Sequence, residues 1–129
     1  MQKTLEEQII DSELISRDLS WINFNRRVLD QAKKETRSVI DKLKFMAITA
    51  GNADEFFMIR VGSLYNYLDF GSERVDYSGL HAIDFKNTLF TQWRDFSKDQ
   101  NDHFVNELEP LFKESGFTIS PYDQLLKAE

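Results

Sequence analysis

The sequence contains no cysteine, two prolines, five glycines and two histidines among its 129 residues. Without cysteine there is no disulfide framework, no thiolate nucleophile and no thiolate metal site. Neither His81 nor His103 has a second histidine four residues away, which excludes a helical zinc pair. No glycine-rich phosphate loop is present. No apolar run reaches the roughly 18 residues that a membrane span needs. The first residues, MQKTLEEQIIDSEL, carry acids where a secretory signal has a basic start and an apolar stretch. A soluble, cytoplasmic chain is the expectation, with little catalytic equipment of its own.

What is present is material for a core. Hydrophobic residues make up 41% of the chain and phenylalanine alone contributes 11, which excludes a disordered tail. A chain of this length is expected to form one domain with a core of its own. The formal charge is −6, and it is unevenly placed. Residues 1–65 hold 10 basic and 10 acidic side chains, whereas 66–129 hold 6 and 12. Between Arg17 and Arg60 there are 9 basic and 6 acidic residues, so an anionic ligand is better met there than elsewhere. The acidic balance argues against nucleic acid as a partner.

The spacing of apolar residues is helical throughout. Residues 1–16 read as a short docking helix or a frayed arm. Ser16-Arg17-Asp18 then reads as a helix start, with Asp18 at the positive end of the dipole. Trp21, Phe24, Val28 and Ala32 form a stripe widened by Ile22 and Leu29, and Lys33-Lys34 close the helix. A second helix starts at Ser38, with Val39, Leu43, Met46, Ala47 and Ala50 on one face. Ile40, Phe45 and Ile48 lie elsewhere on it, so it is expected to be central in the domain. Gly51 is placed as a C-terminal glycine. Asn52-Ala53-Asp54-Glu55 reads as the N-cap and acidic first turn of a third helix carrying Phe57, Val61, Leu64 and Leu68.

Residues 69–79 have loop composition. A long helix follows from about Leu80 to Glu109, with Phe85, Leu89, Trp93, Phe96, Phe104 and Leu108 along its seam. Pro110 is expected to end or kink it. Lys113 to Gly116 reads as a helix C-terminus, Phe117 to Ile119 as a short β-like run, and Ser120-Pro121 as a helical restart. The expected fold is all-α: an up-and-down antiparallel bundle of three to four helices, spectrin-repeat-like, with a long C-terminal helix.

Few residues suggest chemistry. His81 lies at a loop edge and His103 in the helical seam, where packing or capping is the simpler role. Asp54 and Glu55 are adjacent and diverge by about 100° around a helix. They cannot act as a facing acid–base pair, and favouring a helix N-terminus is enough to explain them. Trp21 and Phe24 could stack on a base, although their spacing suits core packing. Asn52 caps a helix whose free amides suit phosphate, and an exposed asparagine amide can also read a purine edge. On these residues alone, the capping role is the simpler one.

Two blocks, RDLSWINFNRRVLDQA and VIDKLKFMAITAGNADEFFMIRVGSL, resemble the N-terminal domain of bacterial polyphosphate kinase, the phosphohistidine-type family. The family pattern is matched at Arg17, Leu19, Ser20, Trp21, Phe24, Asn25, Arg27, Val28 and Leu29. The second block matches it at Leu43, Lys44, Phe45, Asn52, Asp54, Glu55, Phe56, Phe57, Arg60 and Val61. Departures are Asp18 for glutamate, Lys42 where arginine is frequent, and Ala53 for the leucine after the asparagine.

The resemblance implies reversible transfer of the ATP terminal phosphoryl to inorganic polyphosphate by a larger enzyme. It implies ATP binding by Asn52 on the adenine side, and packing on the remaining domains of the kinase. The phosphorylated histidine and the magnesium ligands lie in later domains, and neither His81 nor His103 matches them. No catalytic residue is expected within these residues, which alone should be inactive. Residues 17–116 are expected to form the bundle, 1–16 an arm and 117–129 a connection onward. Family members form homo-oligomers, and some associate peripherally with the inner membrane. The competing reading is a stand-alone helical interaction module with no nucleotide role.

Overall fold

The computed structural model describes residues 16–69 and 82–126. The arm before Ser16, the loop expected after residue 69 and His81 lie outside the described residues. Helix α1, Arg17–Ala32, starts as its sequence predicts, because Ser16 Oγ accepts from the Leu19 amide at 3.5 Å. Helix α2, Val39–Phe56, starts the same way, with Ser38 Oγ accepting from the Asp41 amide at 3.2 Å. Both serines satisfy amides that the first turn of a helix leaves without an intrahelical acceptor.

The expected break at Gly51 does not occur. Helix α2 runs through Gly51 and Asn52, continues into a π-helical turn, Phe57–Val61, and then into α3, Gly62–Asp69. Residues 39–69 are therefore one rod. Asn52 is no N-cap, and Asp54 and Glu55 are exposed mid-helix residues rather than a first turn. Continuity wins because the segment has a face to bury. Thr49, Ala53 and Phe56 are spaced i, i+4, i+7 and all lie in the interior. A break at Gly51 would have pulled that face apart.

The third rod comprises α4, Ala82–His103, a second π-helical turn, Phe104–Leu108, and α5, Glu109–Glu114. Pro110 neither ends it nor opens it. The wider turn before the proline, in which the Glu109 amide reaches the Phe104 carbonyl, accommodates the ring and its missing donor. The rod ends at Gly116, as expected. Gly116 has φ of +86°. Its amide reaches the Lys113 carbonyl at 3.1 Å, and that of Phe117 reaches Phe112 at 3.2 Å. The Phe117 ring stacks on Phe112 with centroids 5.0 Å apart. This is a Schellman cap with its apolar contact. The β-like run at Phe117 to Ile119 is not realised, and no strand occurs among the described residues. A single 3-10 turn, Tyr122–Gln124, follows Pro121.

Cross-rod contacts give the direction of each rod. Asp18–Arg60, Trp21–Phe56 and Asn25–Asn52 pair rising with falling numbers, so α1 and the second rod are antiparallel. Arg26–Gln92 and Lys33–Asp99 keep a constant offset, so α1 and α4 run the same way. Thr49–Gln100, Phe57–Trp93 and Tyr65–Lys86 make the second and third rods antiparallel. The all-α, up-and-down bundle is thus observed, built from three rods.

The core contains Ile22, Leu29, Ala32, Leu89, Phe96 and Leu108, and a ring cluster of Trp21, Phe56, Phe57, Phe90, Trp93 and Phe96 lies along it. Two expected faces are rotated. In α1 the buried line is Ile22, Asn25, Leu29 and Ala32, while Phe24 is 47% exposed. In α2 it is Met46, Thr49, Ala53 and Phe56, with Ala47, Ile48 and Ala50 exposed, so that helix is not buried all round. A polar residue sits at the centre of each true face, which is why apolar spacing alone misplaces them.

Candidate functional site

The site begins with consecutive aromatics. Phe56 and Phe57 both turn their rings inward, Phe56 stacking on Trp21 at 4.3 Å and 9°, and Phe57 meeting Trp93 edge-on at 4.6 Å. Residues adjacent on a helix diverge by about 100°, so burying both needs partners on two sides, here α1 and α4. The π turn follows directly and turns Ile59 and Arg60 to the α1 side. The Arg60 guanidinium lies 3.6 Å from the Asp18 carboxylate.

Between α1 and the second rod a cleft of about 280 Å³ opens. Trp21, Phe24, Phe56 and Ile59 make its apolar walls, while Asn52, Glu55 and Arg60 supply the polar groups. Half-exposed Phe24 presents its ring there, with the Arg27 guanidinium 5.8 Å from its centroid. Of the two aromatics considered for base stacking, Trp21 is therefore committed to Phe56, and Phe24 is the accessible one.

Behind the cleft is a chain of polar groups, fully buried at its centre. Asn52 Nδ2 donates to Asn25 Oδ1 at 3.2 Å, and Asn25 Nδ2 donates to the Thr49 carbonyl at 3.2 Å. Thr49 Oγ1 donates to the Met46 carbonyl at 2.7 Å and accepts from Gln100 Nε2 at 2.7 Å. All three rods are joined through it. Asn25 and Thr49 are both 0% exposed. A buried amide without partners would cost stability, so this network specifies how the helices meet. The sequence signal for Asn25 was its place between Ile22 and Leu29, a lone amide in the middle of an apolar face.

The remaining candidates lie elsewhere. His103 is 8% exposed, its Nδ1 3.2 Å from the Glu107 carboxylate, and it packs in the seam as expected. Asp99 pairs with Lys33 at 2.8 Å and Asp102 with Lys98, so neither carboxylate serves His103. Among the described residues no group of three or more His, Asp or Glu side chains could hold a metal ion. No helix there is long and apolar enough to cross a membrane.

Residues 14–120 match the family model described as polyphosphate kinase N-terminal domain. The chain is 34% identical to the polyphosphate kinase of Prochlorococcus marinus over 117 residues, covering 91% of this chain and 16% of that protein. It is 40% identical to the polyphosphate kinase of Rhodopirellula baltica over 100 residues, 78% of this chain and 12% of that protein. Polyphosphate kinase 1 of Chlorobaculum tepidum is 32% identical over 116 residues, 89% of this chain and 17% of that protein. No solved structure matches. The chain thus spans about one-sixth of the length of the curated relatives it matches. A domain match over most of the chain makes this protein a member of the polyphosphate kinase N-terminal domain family.

Proposed function

We propose that this chain acts as the nucleotide-side domain of a polyphosphate kinase that reversibly transfers the terminal phosphoryl of ATP to inorganic polyphosphate. The cleft beside Asn52 takes the adenosine end of ATP, and the reacting phosphates lie against the other domains of the kinase. The observation that carries this reading is the composition of the cleft. Its walls are aromatic and aliphatic, and one asparagine amide opens into it. Apolar walls with a single directional amide suit a heterocyclic base better than a phosphate, which needs several donors or cations. Arg60 adds one positive group at the rim, partly neutralised by Asp18.

In this reading the helical bundle holds and orients the base, and the family's phosphorylated histidine is supplied by later domains. Magnesium would travel with the phosphates and be held by those domains. Met58, 74% exposed, and Ile59 lie on the π turn beside the cleft and would be covered by a neighbouring domain of the same kinase. Association of such kinases into homo-oligomers in the cytoplasm belongs to the same proposal.

The test is Asn52→Ala in the intact kinase. Loss of a ground-state contact should raise KM for ATP by roughly tenfold with a smaller change in kcat. Asn52 is only half-buried, so the fold should persist. An unchanged KM in a folded variant removes Asn52 from the nucleotide site.

A further inference from the structure

We propose that Asn25 is a positioning residue that locks the Asn52 amide with its carbonyl oxygen toward the cleft, so that this domain selects adenine over guanine. The inference rests on the reading that the cleft takes the nucleotide base. It follows from counting donors and acceptors. The Thr49 carbonyl can only accept, so the Asn25 atom 3.2 Å from it must be the NH2 group. The other end of the Asn25 amide is then an oxygen, and it too can only accept. Asn52 must therefore turn its own NH2 inward to donate to it at 3.2 Å. Neither amide can flip without setting two like groups against each other in the interior, where Asn25 is fully buried.

The consequence appears at the cleft. Asn52 is left with its carbonyl oxygen and one N–H for a ligand. On either hydrogen-bonding edge of a purine, adenine presents an amino donor at position 6 where guanine presents a carbonyl acceptor. On the edge that carries N1, where guanine also turns adenine's ring acceptor into a donor, a free asparagine would rotate its amide by half a turn and accept either base in the same pose. Held by Asn25, it accepts the adenine amino group on its oxygen and meets the guanine carbonyl with like polarity. Asn25 itself does not line the cleft. It acts through Asn52, and fixed amide polarity is what converts a general base contact into a selective one.

The test is kcat/KM for ATP and for GTP in the intact kinase carrying Asn25→Ala. The ratio is taken on one preparation, so any inactive fraction cancels. The ATP preference should fall by roughly five- to a hundredfold, the discrimination one good base pairing supplies. A purely structural role lowers both substrates together and leaves the ratio unchanged. Gln100→Leu is the control, since it breaks a bond on the far side of Thr49 and leaves the lock intact; its ratio should match the parent. Where the alanine variant does not fold, Asn25→Ser is milder, is too short to bridge both partners, and should show the same loss. An unchanged ratio in a folded Asn25 variant, alongside a raised ATP KM for Asn52→Ala, overturns the lock but spares the cleft. An Asn52→Ala enzyme with unchanged KM overturns both.

Discussion

Replacing Gly51 by alanine should make this domain more stable, and the sign of that change separates two structures. The local text AGNADEF suits a helix that stops at a left-handed glycine and restarts at an asparagine cap. The fold instead carries α2 straight through. Gly116 is the only glycine with positive φ among the described residues. A Cβ added at Gly51 meets nothing within 4 Å, and the position is exposed. Alanine there removes unfolded-state freedom without a clash and without new burial. The gain should be about 0.5–1 kcal/mol. In a domain of this size that raises Tm by about 2–5 °C. The contrast is Gly116→Ala, where φ of +86° forces a side chain into the left-handed region. That change should cost about 1–2 kcal/mol. Thermal unfolding of the chain, followed by far-UV circular dichroism, reads both. A fall in Tm for Gly51→Ala would show that the helix breaks at residue 51, and the placement of Asn52 against Asn25 would fall with it.

Phe96 is fully buried, beside Trp93 at 5.4 Å and under the Arg26 guanidinium at 5.8 Å. Phe96→Ala should cost about 3–5 kcal/mol in urea denaturation, and a loss below about 1 kcal/mol would contradict its place in the core. Lys33 and Asp99 join α1 to α4 through a pair that keeps much of its surface in water. Lys33→Met should therefore cost under about 1 kcal/mol, an effect that shrinks further in high salt. A large, salt-independent loss would mean the pair is buried.

The starts of α1 and α2 and the final stop were legible because their chemistry is local. Ser16 and Ser38 cap amides three residues ahead, and Gly116 closes the chain back onto Lys113 and Phe112. No partner from another helix is needed, so a short window of sequence suffices. The all-helical class was legible for the same reason, since periodicity is a local property. Asn52 could also be singled out from the sequence, but its setting could not.

The tertiary structure decided the rest. Gly51-Asn52 serves a cap or a helix interior at a local difference of only about 1 kcal/mol. Burial of Ala53 and Phe56 against neighbouring helices outweighs it. Phe24 faces the cleft and Asn25 the core because Thr49, 24 residues away, offers a carbonyl to receive the amide. The sequence by itself determined where α1 and α2 begin and where the last rod ends. Only their packing determined which way each face turns, because a buried polar group is acceptable solely where a distant partner meets it.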